Sequence, residues 1–274
     1  DRATWLNYIR CHDDIGLGFD DNDIRASGYE PGPHRRFLVD WLTGGFAGSP
    51  ARGRPFGVNP RTGDARISGA LASLVGLESA LEEQDPAAID RAIEQILLLH
   101  GLILSFGGIP LLYYGDEIGT FNDCSFLEDA AKAGDSRWIH RPRIDWERAE
   151  RRHERGTVEQ RLFDGLKRMI AVRKTIPAFA DFNNRELLEP EDPRLFAFLR
   201  THPALTSDAV LVVANLGLEP VSLDLPKLCN RGYFQYGQVR DLYTGIIPEL
   251  AAGQLIMPPS RFYWLTDQRP GAFL

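Results

Sequence analysis

Gly107-Gly108-Ile109-Pro110-Leu111-Leu112-Tyr113-Tyr114-Gly115-Asp116-Glu117 is the stretch whose reading decides the fold. Ile109 to Tyr114 form a short, continuously apolar run closed by glycine at both ends, as expected of a parallel strand buried on both faces. Upstream, Asp85-Pro86 is a helix-start signal, and Ile89, Ile93, Ile96, Leu97 and Leu104 give the helix a broad apolar face that Gly107-Gly108 ends. Downstream, a loop opens on the carboxylates of Asp116 and Glu117. Helix, strand and polar loop form one unit of an α/β fold.

A second such strand stands near the first residue. Thr4 to Ile9 reads as a short buried strand running into Tyr8-Ile9-Arg10-Cys11-His12-Asp13-Asp14. Adjacent carboxylates repel, so Asp13 and Asp14 gain from this loop only if something positive or hydroxyl-rich meets them. The alternative is a helix-capping pair on a solvated turn. Residues 15 to 68 are rich in Gly, Pro, Asp and Arg, and read as an ordered excursion with a short helix around His34 to Leu42. Phe19, Tyr29, Phe37, Trp41, Phe46 and Phe56 supply material for a small core there. Leu71, Leu74, Val75 and Leu81 predict one helix ending near Gln84. A long loop from 116 to about 155 follows the second strand. Thr157-Val158-Glu159-Gln160 is a capping box opening a helix that stops before Ile176-Pro177. Arg148 to Arg155, with Glu147, Glu150 and Glu154, reads as a solvated salt-bridged face.

After Pro177 the texture changes. Leu195–Leu199, Ala209–Ala214, Val221–Leu225, Val239–Tyr243, Leu255–Met257 and Phe262–Leu265 are short apolar or alternating runs at the spacing of an all-β module. Val210 to Val213 read as a central strand, and Pro258-Pro259 as an edge or exit. The pattern places a domain boundary near 177.

The 274 residues allow one large core or two domains. A net charge of −7 argues against a general nucleic-acid binder. Cys11, Cys124 and Cys229 have neither zinc-ligand spacing nor the even count of a disulfide framework, which favours a reducing, cytoplasmic setting. No apolar run reaches the roughly 20 residues of a membrane span. There is no signal-peptide pattern, and no initiator Met at Asp1, so the expectation is a chain that begins inside a longer protein. Asp20, Asp21 and Asp23 lack the Gly and terminal Glu of a calcium loop, and Gly44-Gly45 and Gly107-Gly108 lack phosphate-loop spacing. Neither metal nor cofactor is expected.

Taken in order, these motifs resemble the α-amylase superfamily, glycoside hydrolase family 13. Ile9 to Asp13 resembles its strand-seven signature, Gly108 to Glu117 its strand eight, and the β-rich tail its C-terminal domain. More narrowly, His12-Asp13-Asp14-Ile15-Gly16, Ala51-Arg52-Gly53 with Pro55-Phe56, Gly63-Asp64-Ala65-Arg66 before Ser68-Gly69, and Asp135-Ser136-Arg137-Trp138 with His140-Arg141-Pro142 resemble amylosucrases and sucrose hydrolases. The resemblance implies α/β plus all-β architecture. Residues 1–14 would hold barrel strand seven and its catalytic loop, 15–85 an inserted subdomain, and 86–177 the end of a (β/α)8 TIM barrel. Residues 178–274 would form an antiparallel β-sandwich domain.

It also implies roles. Asp13 matches the transition-state-stabilising Asp and His12 its partner on the sugar hydroxyls, contacts that strengthen as an oxocarbenium-like charge develops. Asp14 and Arg66 match positions holding the fructosyl half of sucrose. Arg137 matches an arginine that salt-bridges an upstream Asp at the pocket floor, a task suited to its planar fork. Read from the residues alone, Arg66 could instead brace its loop against Asp64 or Asp14, and Arg137 forms a salt bridge on either reading. Cys11 departs from the Asn common in the superfamily.

The resemblance places a nucleophilic Asp and a proton-donor Glu before the His-Asp motif, and neither motif occurs in these residues. The expectation is therefore the C-terminal portion of a sucrose-cleaving, α-retaining glucosyltransferase or hydrolase, inactive alone. Its partners would be sucrose, an α-glucan acceptor and the N-terminal barrel half of the same enzyme. Other readings are a sucrose phosphorylase, sucrose isomerase or α-glucosidase, and a non-catalytic glucan-binding module using Trp41 and Tyr29.

Overall fold

The computed structural model describes residues 3–202, 205–229 and 239–267, and for 205–208 the backbone only. The chain divides into two compact units, one of residues 1–8, 97–111 and 164–274 and the other of residues 9–96 and 112–163. This division does not follow the sequence-level boundaries at 14, 85 and 177, because two long helices, Pro86–Ser105 and Val158–Thr175, each contribute to both units.

In the first unit, Leu6–Asn7 pairs parallel with Ile109–Pro110, Leu6 opposite Ile109. The pairing sense is the one expected, but the strands are not buried: Leu6 is 60% exposed and Ile109 46%. Each has two residues and one neighbour, so the remaining edges and faces meet solvent. No eight-stranded barrel is formed among the described residues.

The tail forms two antiparallel sheets. The larger runs, in spatial order, Arg185–Leu188, Leu195–His202, Leu205–Asn215, Arg261–Asp267 and Val239–Asp241. The smaller runs Leu250–Ala251, Gln254–Met257 and Val221–Leu223. Leu195, Leu199, Leu211, Val213, Tyr263 and Leu265 join Val221, Leu223, Leu255 and Met257 in one core, which makes the pair a sandwich. The alternate residues fill the other face, with Phe198 against Phe106 and Trp264 against Phe179. The run Val210 to Val213 is continuously apolar because its strand is third of five and buried on both faces. Gly101 sits mid-helix at the usual cost of about 1 kcal/mol, because any Cβ would stand 2.6 Å from the Phe262 ring.

In the second unit, Asp85 caps Pro86–Ser105 by accepting from the amides of Ala87 and Ala88 (2.9 and 3.1 Å). The expected helix over 68–84 is instead two, Leu71–Leu74 and Leu77–Glu82. Gly76 breaks it with φ 86, a left-handed position where an added Cβ would stand 2.6 Å from that of Pro50. Gly76→Ala should therefore lose about 2 kcal/mol or more, since the left-handed backbone alone costs about 1–2 kcal/mol. Urea denaturation measures this, and an unchanged midpoint would show that the turn can relax.

The excursion is ordered, with a helix Pro31–Leu42 and a hairpin of Arg54–Phe56 with Arg66–Ser68. Its core is aliphatic rather than aromatic, built from Leu17, Ile67 and Leu74 with Ile15, Leu38, Val39 and Leu42. Phe19, Tyr29, Phe37 and Phe46 are exposed instead. Asp20 caps Asp21–Ala26 through the Asn22 amide (2.7 Å), and Asp21 pairs with Arg35 (2.6 Å). Arg148 is also unlike its expectation. It lies over the Phe121 ring (3.9 Å), donates to the Gly119 carbonyl (2.8 Å) and pairs with the buried Glu159 (2.8 Å). Among the described residues, no helix is long and apolar enough to cross a membrane.

Candidate active site

The whole candidate site falls within the second unit. Ile15 and Ile67 form an antiparallel bridge, the Ile15 amide donating to the Ile67 carbonyl (2.7 Å) and the reverse (2.9 Å). That bridge sets the His12–Asp14 loop beside the hairpin strand carrying Arg66. The Arg66 Nε then stands 3.2 Å from Asp14 Oδ2, with the Asp14 side chain only 5% exposed. Its second oxygen, Oδ1, is buried without a partner.

Asp13 faces Arg137. The Arg137 Nη1 donates to Asp13 Oδ1 at 2.9 Å, while Nε and Nη2 grip both oxygens of Asp135, also at 2.9 Å. The Asp14 amide donates to the same Asp13 oxygen (3.1 Å). Arg137, and then the Asp14 amide, hold the Asp13 carboxyl down at about 2. Arg66 and Arg137 both stack on Phe56, at 4.7 and 4.8 Å from the ring centroid. One aromatic ring thus spaces two cations that each face an Asp of the motif. Of the five residues singled out in the sequence, Asp13, Asp14, Arg66 and Arg137 are drawn together around Phe56. His12 is exposed, its main-chain carbonyl accepting from Arg141 Nε (2.7 Å). Cys11 Sγ accepts from the Asp13 amide (3.4 Å), so the thiol still supports the loop.

Beneath lies a layer that the sequence reading assigned no role. Arg10 is buried and donates to the carbonyls of Gly69 and Asp13, both at 2.9 Å, tying the loop to the hairpin's exit. The Gly69 amide donates to His140 Nδ1 (3.1 Å), and the Tyr113 hydroxyl to the His140 carbonyl (3.0 Å). A signal was present: a charged residue ending an apolar strand either snorkels or satisfies buried carbonyls.

Two buried groups here titrate in opposite senses. Burial pushes Asp116 up to about 7 against the pull of the Arg10 charge. Burial first, then Arg10, holds His140 down to about 4. Between pH ~4 and ~7 native Asp116 keeps a proton that the unfolded chain has lost, so stability falls as pH rises. Between pH ~4 and ~6.5 unfolded His140 binds a proton that the native ring refuses, so stability rises. Asp116→Asn should leave the rising profile and His140→Asn the falling one, read as urea midpoints across that range. Identical profiles in both variants would sink the assignment.

Known proteins bear on this arrangement. A family model described as the maltogenic amylase C-terminal domain matches residues 185–264, the segment of the two sheets. The trehalose synthase/amylase of Mycolicibacterium smegmatis is 31% identical over 308 residues, covering 99% of this chain and 44% of its own length. That of Mycobacterium tuberculosis is 27% identical over 298 residues, covering 99% and 42%. The glucosylglycerate phosphorylase of Escherichia coli is 28% identical over 184 residues, covering 66% and 29%. The chain spans less than half the length of each of these relatives. By the matched C-terminal domain and these relatives the chain is similar to proteins of the α-amylase family, glycoside hydrolase family 13.

Proposed function

We propose that the chain is part of a longer, sucrose-cleaving α-retaining enzyme that forms a covalent glucosyl intermediate and passes it to an α-1,4-glucan or to water. The observation that carries this is the convergence of Asp13, Asp14, Arg66 and Arg137 on Phe56. An ionised Asp13 keeps one oxygen on Arg137 and offers the other to a ring hydroxyl, where developing positive charge strengthens the bond. Arg66, half exposed and held by the buried Asp14, presents a donor to the other sugar. The nucleophile and proton donor come from upstream sequence. Exposed Leu6, Tyr8, Ile109 and Leu111 support an upstream barrel segment covering that strand pair.

Sucrose given to the longer enzyme should release fructose, and iodine staining then separates glucan synthesis from hydrolysis, since only polymer colours. Intact sucrose after prolonged incubation would overturn the reading. The isolated 274-residue chain should leave sucrose untouched.

A second reading is favoured by the relatives: trehalose synthesis or phosphorolysis of glucosylglycerate, as the names trehalose synthase and glucosylglycerate phosphorylase state for those proteins. The same assay with maltose, and with glucosylglycerate plus phosphate, distinguishes it.

A further inference from the structure

Asp13 is held from two directions, and the two holds are joined beneath it. Arg10, buried, donates through Nη2 to the Asp13 carbonyl and through Nε to the Gly69 carbonyl, both at 2.9 Å. On the other side of that glycine, its amide donates to His140 Nδ1 (3.1 Å). His140 is the last residue of the short helical turn Ser136–His140, whose second residue is Arg137. Arg137 closes the path by donating to the Asp13 carboxylate (2.9 Å). From the Asp13 carbonyl, a circuit thus runs through Arg10, Gly69, His140 and Arg137 to the carboxylate of the same residue.

The circuit has little slack. Asp135 caps the turn through the Arg137 amide (3.0 Å) and grips the Arg137 guanidinium, so the turn and that side chain form one piece. The Tyr113 hydroxyl donates to the His140 carbonyl (3.0 Å), and Ser136 Oγ meets Ser68 Oγ (3.3 Å) one residue before Gly69. His140 must be neutral in this arrangement, since only an unprotonated Nδ1 accepts from an amide. Burial and the Arg10 charge both keep it so. Arg10 therefore supports the circuit twice, as a donor to two carbonyls and as a charge facing His140. A group aimed at transition-state charge works only within about 0.5 Å of its place, so the circuit bears on chemistry as well as on stability. We propose that Arg10 and His140 are positioning residues for Asp13, fixing through Gly69 and Arg137 where its carboxylate stands. The inference deepens the role proposed for Asp13 and rests on it.

The 274-residue chain tests the geometry, and the longer enzyme tests its consequence. In the chain, the Asp14 amide donates to Asp13 Oδ1 (3.1 Å), so its hydrogen exchange, read by NMR, reports whether that carboxylate keeps its place. Arg10→Met and His140→Leu should each speed this exchange about tenfold, the scale of one lost hydrogen bond. The Gly53 amide, bonded to the Leu42 carbonyl (2.8 Å), should exchange as before and so exclude general loosening. His140→Asn, whose Oδ1 can accept from Gly69 in place of Nδ1, should recover most of the protection. In the longer enzyme, Arg10→Met and His140→Leu should lower kcat on sucrose about tenfold with KM within about twofold, since both residues are buried away from the sugar. Adding Arg10→Met to Arg137→Met should cost nothing further, because the path is already cut. Unchanged Asp14 exchange in the folded variants, or equal effects of His140→Asn and His140→Leu, would overturn the positioning role. Additive losses in the double variant would overturn its route through Arg137. Should Arg10→Met not fold, the two His140 variants decide the matter alone. A longer enzyme that leaves sucrose intact while the exchange pattern holds would sink the sucrose reading and still support the positioning.

Discussion

Arg200→Met should destabilise the chain by about 3–5 kcal/mol, the scale of breaking a buried, charge-assisted network. Arg200 is fully buried on the strand Leu195–His202, yet among the described residues no carboxylate neutralises it at contact distance. It donates instead to Asn184 Oδ1 (2.6 Å) and to the carbonyls of Ser105, Ala178 (3.0 Å) and Asp181. Burial lowers its pKa to about 10, so it stays charged at neutral pH. Ser105 is the last residue of the helix Pro86–Ser105, where the negative end of the helix dipole favours a cation. Four acceptors on two stretches of the first unit, the helix end and residues 178–184, thus meet one guanidinium. Met fills similar space and drops the desolvation cost, but it leaves the Ser105 and Asp181 carbonyls and Asn184 Oδ1 without that donor, while the Ala178 carbonyl keeps only Asn184 Nδ2 (3.0 Å). Arg200→Lys, keeping the charge but not the fork, should fall between. Urea denaturation measures all three proteins, and a loss below about 1 kcal/mol for Met would mean that water replaces the network.

Asp13→Asn in the longer enzyme should lower kcat/KM on sucrose by about 10²–10³-fold with little change in Tm. The scale is that of removing one preorganised group aimed at transition-state charge. Stability should barely change because Asp13 is half exposed and Arg137 keeps both bonds to Asp135. The pairing with Arg137 also means that Asp13 loses its charge only near pH 2, so any acid limb of activity above pH 4 belongs to another group. Equal activity of Asp13→Asn and wild type would remove this residue from the chemistry. A large drop in Tm would instead mark it as structural.

Local signals carried a good part of the fold. Asp85, Thr157 and the glycines after Ser105 act within a few residues of themselves, so the helices they bound were legible. The strands of the tail were legible because alternating or continuous apolar runs report burial directly. Local signals failed where distant segments decided. Leu71 to Leu81 keep a helical period, and only the approach of Pro50 to Gly76 shows why the chain turns there. Arg148 sits in a run that looks solvated, and only Phe121 and the buried Glu159 explain its inward turn.

The sequence by itself determined the long helices, the antiparallel character of the tail and the residue types of the site. It did so because periodicity, capping and motif order are properties of neighbouring residues. Tertiary structure alone decided which charges meet. Arg66 had two candidate carboxylates and met Asp14, because the Ile15–Ile67 bridge sets that register. Arg137 reached back 124 positions to Asp13, and Arg10 went beneath the loop to hold its backbone. Coulomb attraction favours many pairings about equally, and the packed backbone selects among them.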